Sequence, residues 1–242
     1  MLLKLIKTET KKLKHTPVWL AFGFMPIIPA LLGTLNYLAN IGLLQSEWYS
    51  LWTQHTLFTD YFFLPIMVGI YCSYIMRLEE NCHNWNKLLS MPVSKHKIFV
   101  SKLFCVGLMI LLSEIWIGLL FILSGKLIGL SAPLPLGELI IWCLFGTLGG
   151  VVMASLQLTI SLFIRSFALP VAIALCGGLS GLLFLAKDLG HIWPYSLMAY
   201  GMNSNSPQEM HETGYIPFII TCILYIAVFT ILGSNILNRK DM

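Results

Sequence analysis

Apolar residues occur along this chain in six long runs, separated by shorter segments that carry nearly all of the charge. A helix needs about 20 consecutive, mostly apolar residues to cross the hydrocarbon core of a bilayer. The runs do not alternate polar and apolar positions, as the strands of a membrane barrel do. The pattern therefore predicts an all-α integral membrane protein with six transmembrane helices, at residues 17–38, 57–76, 98–123, 137–164, 168–186 and 215–237.

Composition supports this interpretation. Of the 242 residues, 57% are hydrophobic and 11% are charged, whereas a soluble domain is typically about 25% charged. So few charges cannot cover a soluble body of this size, which excludes the soluble enzyme folds. The six cysteines form no CxxC pair and lie mostly inside apolar runs, so they predict core residues and no metal site.

The basic residues are distributed unequally between the two sides of the predicted bundle. Thirteen of the 15 lie before span 1, between spans 2 and 3 or at the start of span 3, between spans 4 and 5, or at the end of the chain. Because cytoplasmic loops are enriched in Lys and Arg, both termini are predicted to be cytoplasmic. The predicted outer loops are 39–56, 124–136 and 187–214, and interfacial aromatic residues are expected there at Trp48, Trp52, Trp193 and Tyr195.

Residues 1–16 form a separate basic segment before span 1. Lysines recur at spacings of three and four, which places them on one face of a helix: Lys4, Lys7, Lys11 and Lys14. Such a basic amphipathic helix is suited to lying on an anionic membrane surface. The simpler alternative is a basic anchor that only fixes the orientation of span 1.

The segment between spans 2 and 3 predicts a second amphipathic helix. Glu79 and Glu80 precede Trp85, Leu88 and Leu89 at helical spacing, and Pro92 ends the pattern. This helix could dock a soluble partner, or it could be a connector whose apolar face rests on lipid.

The same segment carries a family resemblance. The two acids, the amphipathic helix, a Leu-Leu-x-x-Pro-x-Ser turn and a lysine at the start of span 3 resemble the coupling-helix region of ABC-2-type transporter permeases. The six-span layout, the basic amino-terminal helix and the aromatic–proline segment 191–197 are also similar to that family. Within the family, residues 85–92 are most similar to permease subunits of lantibiotic or bacteriocin immunity exporters, followed by bacitracin-resistance permeases.

The resemblance implies that residues 17–242 form a permease domain without an ATPase site, so the chain itself is not an enzyme. It implies two copies of a cytosolic ABC ATP-binding subunit, which bind ATP and Mg²⁺, and a second permease, identical or related. The implied cargo is an antimicrobial peptide expelled from the cytoplasmic membrane of a Gram-positive bacterium, with bacitracin or a lipid-like compound as the alternative. No nucleic acid is implied. The implied docking residues are Glu79, Glu80, Trp85, Lys87, Leu88, Leu89 and Pro92.

Glu114 is interpreted as the one acid deep within a span. A carboxylate that faces lipid costs about 2.5 kcal/mol or more, so its side chain is expected to face the bundle, a partner or water. Glu114 is therefore a candidate intramembrane polar site, together with Gln157. It either contacts a cationic cargo or couples movements, or it makes an internal hydrogen bond to a serine or to Gln157.

Small residues predict close helix packing at Gly146, Gly150, Gly177 and Gly181. Residues 178–181 also match the GxSG nucleophile pattern of rhomboid proteases, but span 6 has no histidine. Glu79 and Glu80 match the start of the EExxxR motif of CAAX-type membrane proteases, although Asn84 occupies the arginine position. An intramembrane protease and a non-transporting membrane scaffold or sensor partner therefore remain as alternatives to a permease.

Overall fold

The computed structural model describes residues 1–81, 85, 88, 92–164, 166–204 and 215–239. Within these residues all regular structure is helical, and six helices are long and apolar enough to cross a membrane. The predicted all-α fold with six spans is confirmed. The spans are Val18–Ala39, Glu47–Glu80, Lys95–Leu127, Leu136–Phe163, Ala168–Leu185 and Tyr215–Arg239. Two further helices are Leu2–Leu13 (the N-terminal helix) and Leu197–Gly201.

Span 1 consists of two helices, Val18–Phe24 and Ile27–Ala39, with the interruption at Pro26. Proline lacks the N–H that would continue the helical hydrogen bonds, so a break is expected there. Span 2 contains a π turn, Thr59–Phe63, between the helices Glu47–Phe58 and Leu64–Asn81. A π turn inserts a residue into a helix and often marks a functional position.

Span 2 begins at Glu47, so the predicted outer loop 39–56 is wrong over its second half. The polar residues that suggested a loop find partners inside the protein. His55 Nε2 lies 3.0 Å from the hydroxyl of Thr34 on span 1. A carboxylate oxygen of Glu47 accepts a hydrogen bond of 2.6 Å from the backbone N–H of Ala132, which holds the start of the helix.

Two tryptophans of this helix are buried inside the protein. Trp48 and Trp52 are 4% and 0% exposed. The ring of Trp52 stacks on Trp142 of span 4 at 4.9 Å, and its indole N–H donates to the carbonyl oxygen of Met202 at 3.0 Å. Tyr195 is also buried. These three side chains therefore face the protein interior, where each ring fills the space between helices.

Spans 2, 3 and 4 form the interior of the bundle. In their most apolar stretches 61%, 50% and 56% of the residues are buried, compared with 28%, 28% and 22% in spans 1, 5 and 6. The outer faces of spans 1, 5 and 6 carry large apolar side chains, as expected of surfaces that face lipid.

Four glycines were predicted to allow close packing: Gly146, Gly150, Gly177 and Gly181. At Gly146 an added Cβ would lie 2.4 Å from Met202 Cγ, and at Gly177 it would lie 2.5 Å from the ring of Tyr195. Both contacts join a span to the segment between spans 5 and 6. These glycines therefore let that segment and its short helix, Leu197–Gly201, approach spans 4 and 5.

Candidate functional site

The N-terminal helix lies against span 3 and has two different faces. Its lysines at positions 4, 7, 11 and 14 are all exposed, as the sequence pattern predicts. The opposite face buries Leu13 and, unexpectedly, Glu9, which is 2% exposed. A carboxylate on the buried face of a surface helix requires a partner, because desolvation of an unpaired charge is costly.

That partner is part of a buried network of two acids and two lysines, which we call the ion cluster: Glu9, Lys12, Glu79 and Lys102. Lys102 Nζ lies 2.9 Å from Glu9 Oε2 and 2.6 Å from Glu79 Oε1. Lys12 Nζ lies 2.9 Å from Glu9 Oε1 and 2.5 Å from Glu79 Oε1. Each lysine therefore bridges both carboxylates, and the formal charges sum to zero.

Three separate parts of the chain supply the ion cluster. Glu9 and Lys12 belong to the N-terminal helix, Glu79 to the end of span 2, and Lys102 lies about two turns into span 3. Lys102 and Glu79 are 0% exposed. Burying an ion costs several kcal/mol, which only close pairing and hydrogen bonding offset. The ion cluster therefore fixes the relative positions of these three elements.

Lys12 is the one member of the ion cluster with a substantially exposed side chain, at 26%. Burial lowers the pKa of its ammonium group, but the carboxylates of Glu9 and Glu79 outweigh burial and raise the pKa above its ordinary value of 10.5. Lys12 therefore stays charged at neutral pH, and its ion pairs persist well into the alkaline range.

The predicted docking segment adjoins the ion cluster. Trp85 and Leu88 are 9% and 8% exposed and pack into the main apolar core. The ring of Trp85 lies 5.9 Å from Lys102 Nζ, a distance at which a cation and an aromatic face attract each other. Lys87 and Leu89, with most of the predicted amphipathic helix, lie outside the described residues.

The structure separates the predicted docking residues into two groups. Glu79, Trp85 and Leu88 point into this chain, whereas Glu80 is half-buried and Pro92 is exposed. Neighbouring helical residues point about 100° apart, so the two acids cannot share one face. Glu79, Trp85 and Leu88 are therefore interior residues of this chain. The docking of this segment to an ATP-binding subunit stays a prediction.

Sequence reasoning missed Glu9 and Lys102, although both carried a signal. Glu9 is the one acid in the lysine-rich segment 1–16, and Lys102 falls inside the predicted span 98–123. A charged residue in an apolar run requires a partner. The identity of that partner depended on the packing of the N-terminal helix, which periodicity alone does not determine.

The second predicted site, Glu114 with Gln157, does not form the hydrogen bond that was considered for it. Glu114 is 0% exposed, but its side chain makes no hydrogen bond within the described residues. The side-chain amide of Gln157 instead bonds the hydroxyl of Tyr195 at 2.8 Å, and the hydroxyl of Ser113 lies 2.9 Å from that of Tyr71. The expected hydrogen bond from Glu114 to Gln157 or to a serine is therefore wrong.

Glu114 is also not the one acid deep within a span. Asp60, in the π turn of span 2, is 1% exposed and accepts a hydrogen bond from the hydroxyl of Ser204. Sequence reasoning missed Asp60 because it lies near the edge of the predicted span 57–76. The true helix begins at Glu47, which places Asp60 in the interior.

Within the described residues, the serine of the GxSG segment is not paired with a base. The hydroxyl of Ser180 donates to the carbonyl oxygen of Gly177 at 2.6 Å and accepts from the indole N–H of Trp193 at 2.9 Å. A serine nucleophile needs a base within hydrogen-bond distance. These contacts give the Ser180 hydroxyl a structural role between span 5 and the segment that follows it.

The six apolar helices define a multi-pass α-helical membrane protein. The family model described as ABC-2 family transporter protein matches residues 5–181, more than half of the chain. The chain therefore belongs to the ABC-2 transporter family. It is the membrane-spanning permease component of an ABC transporter rather than the ATPase, and it works with an ABC ATP-binding subunit. A comparison with the curated proteins finds no match. All four residues of the ion cluster lie inside the matched region.

Proposed function

We propose that this permease exports amphipathic antimicrobial peptides and so protects the membrane of a Gram-positive cell. In this proposal it acts with a second permease and with two copies of the ATP-binding subunit, which bind ATP and Mg²⁺. The support for the cargo is the similarity of residues 85–92 to lantibiotic immunity permeases. The asymmetry of the basic residues supports a cytoplasmic location for both termini and for the ion cluster.

The observation that carries the proposed mechanism is the ion cluster. A force applied to the segment between spans 2 and 3 acts on Glu79 at the end of one span and on Lys102 near the start of the next. The bonds from Glu9 transmit it to the N-terminal helix as well. ATP-driven closure of the ATP-binding subunits would then move these three elements as one unit.

The two groups of docking residues have different proposed roles. Glu80, which is half-buried, and Pro92, which is exposed, contact the ATP-binding subunit together with Lys87 and Leu89. Trp85 and Leu88, packed in the core, transmit the movement to the ion cluster. The exposed lysines of the N-terminal helix bind anionic lipid and keep that helix at the membrane surface.

Co-purification tests the docking role. Glu80→Arg should reduce recovery of the ATP-binding subunit with a tagged permease at least about tenfold, because it reverses the charge of a half-buried residue of the proposed docking surface. Glu138→Arg is the matched control, since Glu138 is an exposed acid in the first turn of span 4. Equal recovery from both variants would contradict the assignment of Glu80 to the docking surface.

Survival assays test the cargo. Cells that express the permease with its ATP-binding subunit should survive higher concentrations of a lantibiotic such as a nisin-type peptide, and a hydrolysis-deficient ATP-binding subunit should abolish the protection. Protection against bacitracin alone would favour the alternative cargo. Protection against neither compound, with an intact complex that hydrolyses ATP, would refute the antimicrobial-peptide proposal.

A further inference from the structure

Two carboxyl groups lie together in the apolar interior, and we call them the acid pair: Asp60 of span 2 and Glu114 of span 3. They are 1% and 0% exposed, and both lie against residues 202–204: Asp60 accepts a hydrogen bond from Ser204, and Met202 and the Glu114 carboxyl both lie beside Gly146. Glu114 Oε1 faces span 4, where a Cβ added to Gly146 would lie only 3.0 Å from it. The glycine therefore leaves the room that the Glu114 carboxyl occupies.

The acid pair lacks the compensation that the ion cluster has. Three of its four carboxyl oxygens, Asp60 Oδ1 and both oxygens of Glu114, have no hydrogen-bond partner among the described residues. In that same part of the chain, all four salt bridges belong to the ion cluster and none reaches the acid pair. The one hydrogen bond to a carboxyl comes from Ser204, a neutral residue.

The titratable groups packed around the acid pair are also not cationic partners. The thiol of Cys143 of span 4 is directed to the backbone oxygen of Glu114 at 3.6 Å. Tyr71 of span 2 shares its hydroxyl with Ser113. His55, one turn before the π turn, directs Nε2 to Thr34 on span 1.

This arrangement restricts the charge that the acid pair can carry. An ionised carboxylate buried without a partner costs several kcal/mol. A second carboxylate nearby raises that cost further, because like charges disfavour simultaneous ionisation. Any cation that neutralises the two carboxylates must fit into the space around them, which is almost completely enclosed. A proton on each carboxyl meets this condition, whereas a metal ion or a peptide ammonium group needs space and further ligands.

We propose that Asp60 and Glu114 form a proton-binding site inside the bundle, with both carboxyls neutral while spans 2, 3 and 4 are packed together. When these spans separate and water enters, an O–H bond of a carboxyl breaks, the electron pair stays on the oxygen, and the proton passes to water. Repacking takes a proton back. The site is independent of the cargo, so it goes beyond the proposed function.

Infrared spectroscopy of the purified permease–ATPase complex in nanodiscs tests this proposal. At neutral pH the wild-type complex should absorb at the carbonyl stretch of protonated carboxyl groups. Asp60→Asn and Glu114→Gln should each remove part of this band, because each replaces an acid by a neutral amide of similar shape. Asp188→Asn is the control: Asp188 is an exposed acid outside the spans, and its replacement should leave the band unchanged.

Two results would overturn the proposal. The first is a wild-type complex without a protonated-carboxyl band at neutral pH, a result that needs no variant to fold. The second is loss of the band when Na⁺, K⁺, Mg²⁺ or Ca²⁺ is added, because the pair would then be a metal-cation site. A band that persists with each cation and decreases in both amide variants supports the proton-binding site.

Discussion

Lys102→Met is the substitution that tests the ion cluster most directly. Methionine keeps most of the apolar length of the side chain but removes the ammonium group that bonds Glu9 at 2.9 Å and Glu79 at 2.6 Å. Both carboxylates stay buried, and only Lys12 continues to bond them. The change therefore removes one of the two ammonium groups that neutralise the two buried carboxylates.

The expected cost follows from the burial of the pairs. Removing one partner of a buried ion pair costs about 3–5 kcal/mol. Because Lys12 still bonds both carboxylates, we expect the lower end of that range. A loss of about 3 kcal/mol lowers the folding equilibrium constant about 100-fold, at 1.4 kcal/mol for each factor of ten. Lys126→Met is the matched control, since Lys126 lies exposed at the other end of span 3.

A double-mutant cycle measures the interaction itself. The free energy of unfolding is measured by reversible denaturation in detergent micelles for Lys102→Met, for Glu79→Gln and for the double variant. Residues in one buried network typically couple by about 0.5–3 kcal/mol, so the double variant should be more stable than the sum of the single losses predicts. Strictly additive losses, or a Lys102→Met protein as stable as Lys126→Met, would refute the assigned network.

Three further predictions concern the same fold. Tyr195→Phe removes the hydroxyl bonded to Gln157 and should lower the free energy of unfolding by about 1 kcal/mol; an unchanged value would show that this bond is not formed. Gly149→Ala should destabilise by about 1–3 kcal/mol in the same denaturation assay, because the new Cβ would lie 2.4 Å from the carbonyl oxygen of Leu197. The raised pKa of Lys12 predicts that its ion pairs contribute fully below its unfolded pKa of 10.5 and are lost as pH rises through the higher folded pKa. The wild-type melting temperature should therefore fall more than that of Lys12→Met above about pH 10.5, and parallel curves would contradict the ion pairing.

The number and type of the spans could be predicted from the sequence because apolar length is a local property. No contact has to be known to recognise about 20 apolar residues in succession. The start of span 2 could not be predicted in this way. The residues from Glu47 to Thr56 have the composition of a loop. They are helical because they bond Thr34, Ala132 and Met202, which are distant in sequence.

The candidate sites could likewise be predicted only in part from the sequence. The segment between spans 2 and 3 could be located from its motif, but the inward direction of Glu79 depends on where the N-terminal helix packs. Asp60 and Glu114 lie on different spans, and both meet residues 202–204 only because of how spans 2, 3 and 4 pack. Sequence periodicity places a residue on a helix face; it does not say which helix that face meets.

The ion cluster and the acid pair lie on the same two spans. Span 2 carries Glu79 of the ion cluster and Asp60 of the acid pair, and span 3 carries Lys102 and Glu114. The ion cluster is neutral overall and each of its members is bonded, so separating it is costly and it should move as a rigid unit. In the acid pair three carboxyl oxygens are without a partner in the described part of the chain, so few bonds within the protein oppose the separation of the two acids.

A displacement of spans 2 and 3 at the ion cluster is therefore expected to change their packing at the acid pair. We therefore expect ATP hydrolysis by the complex to change the carboxyl infrared band. Weakening the ion cluster with Lys102→Met should alter this change, whereas Lys126→Met should not.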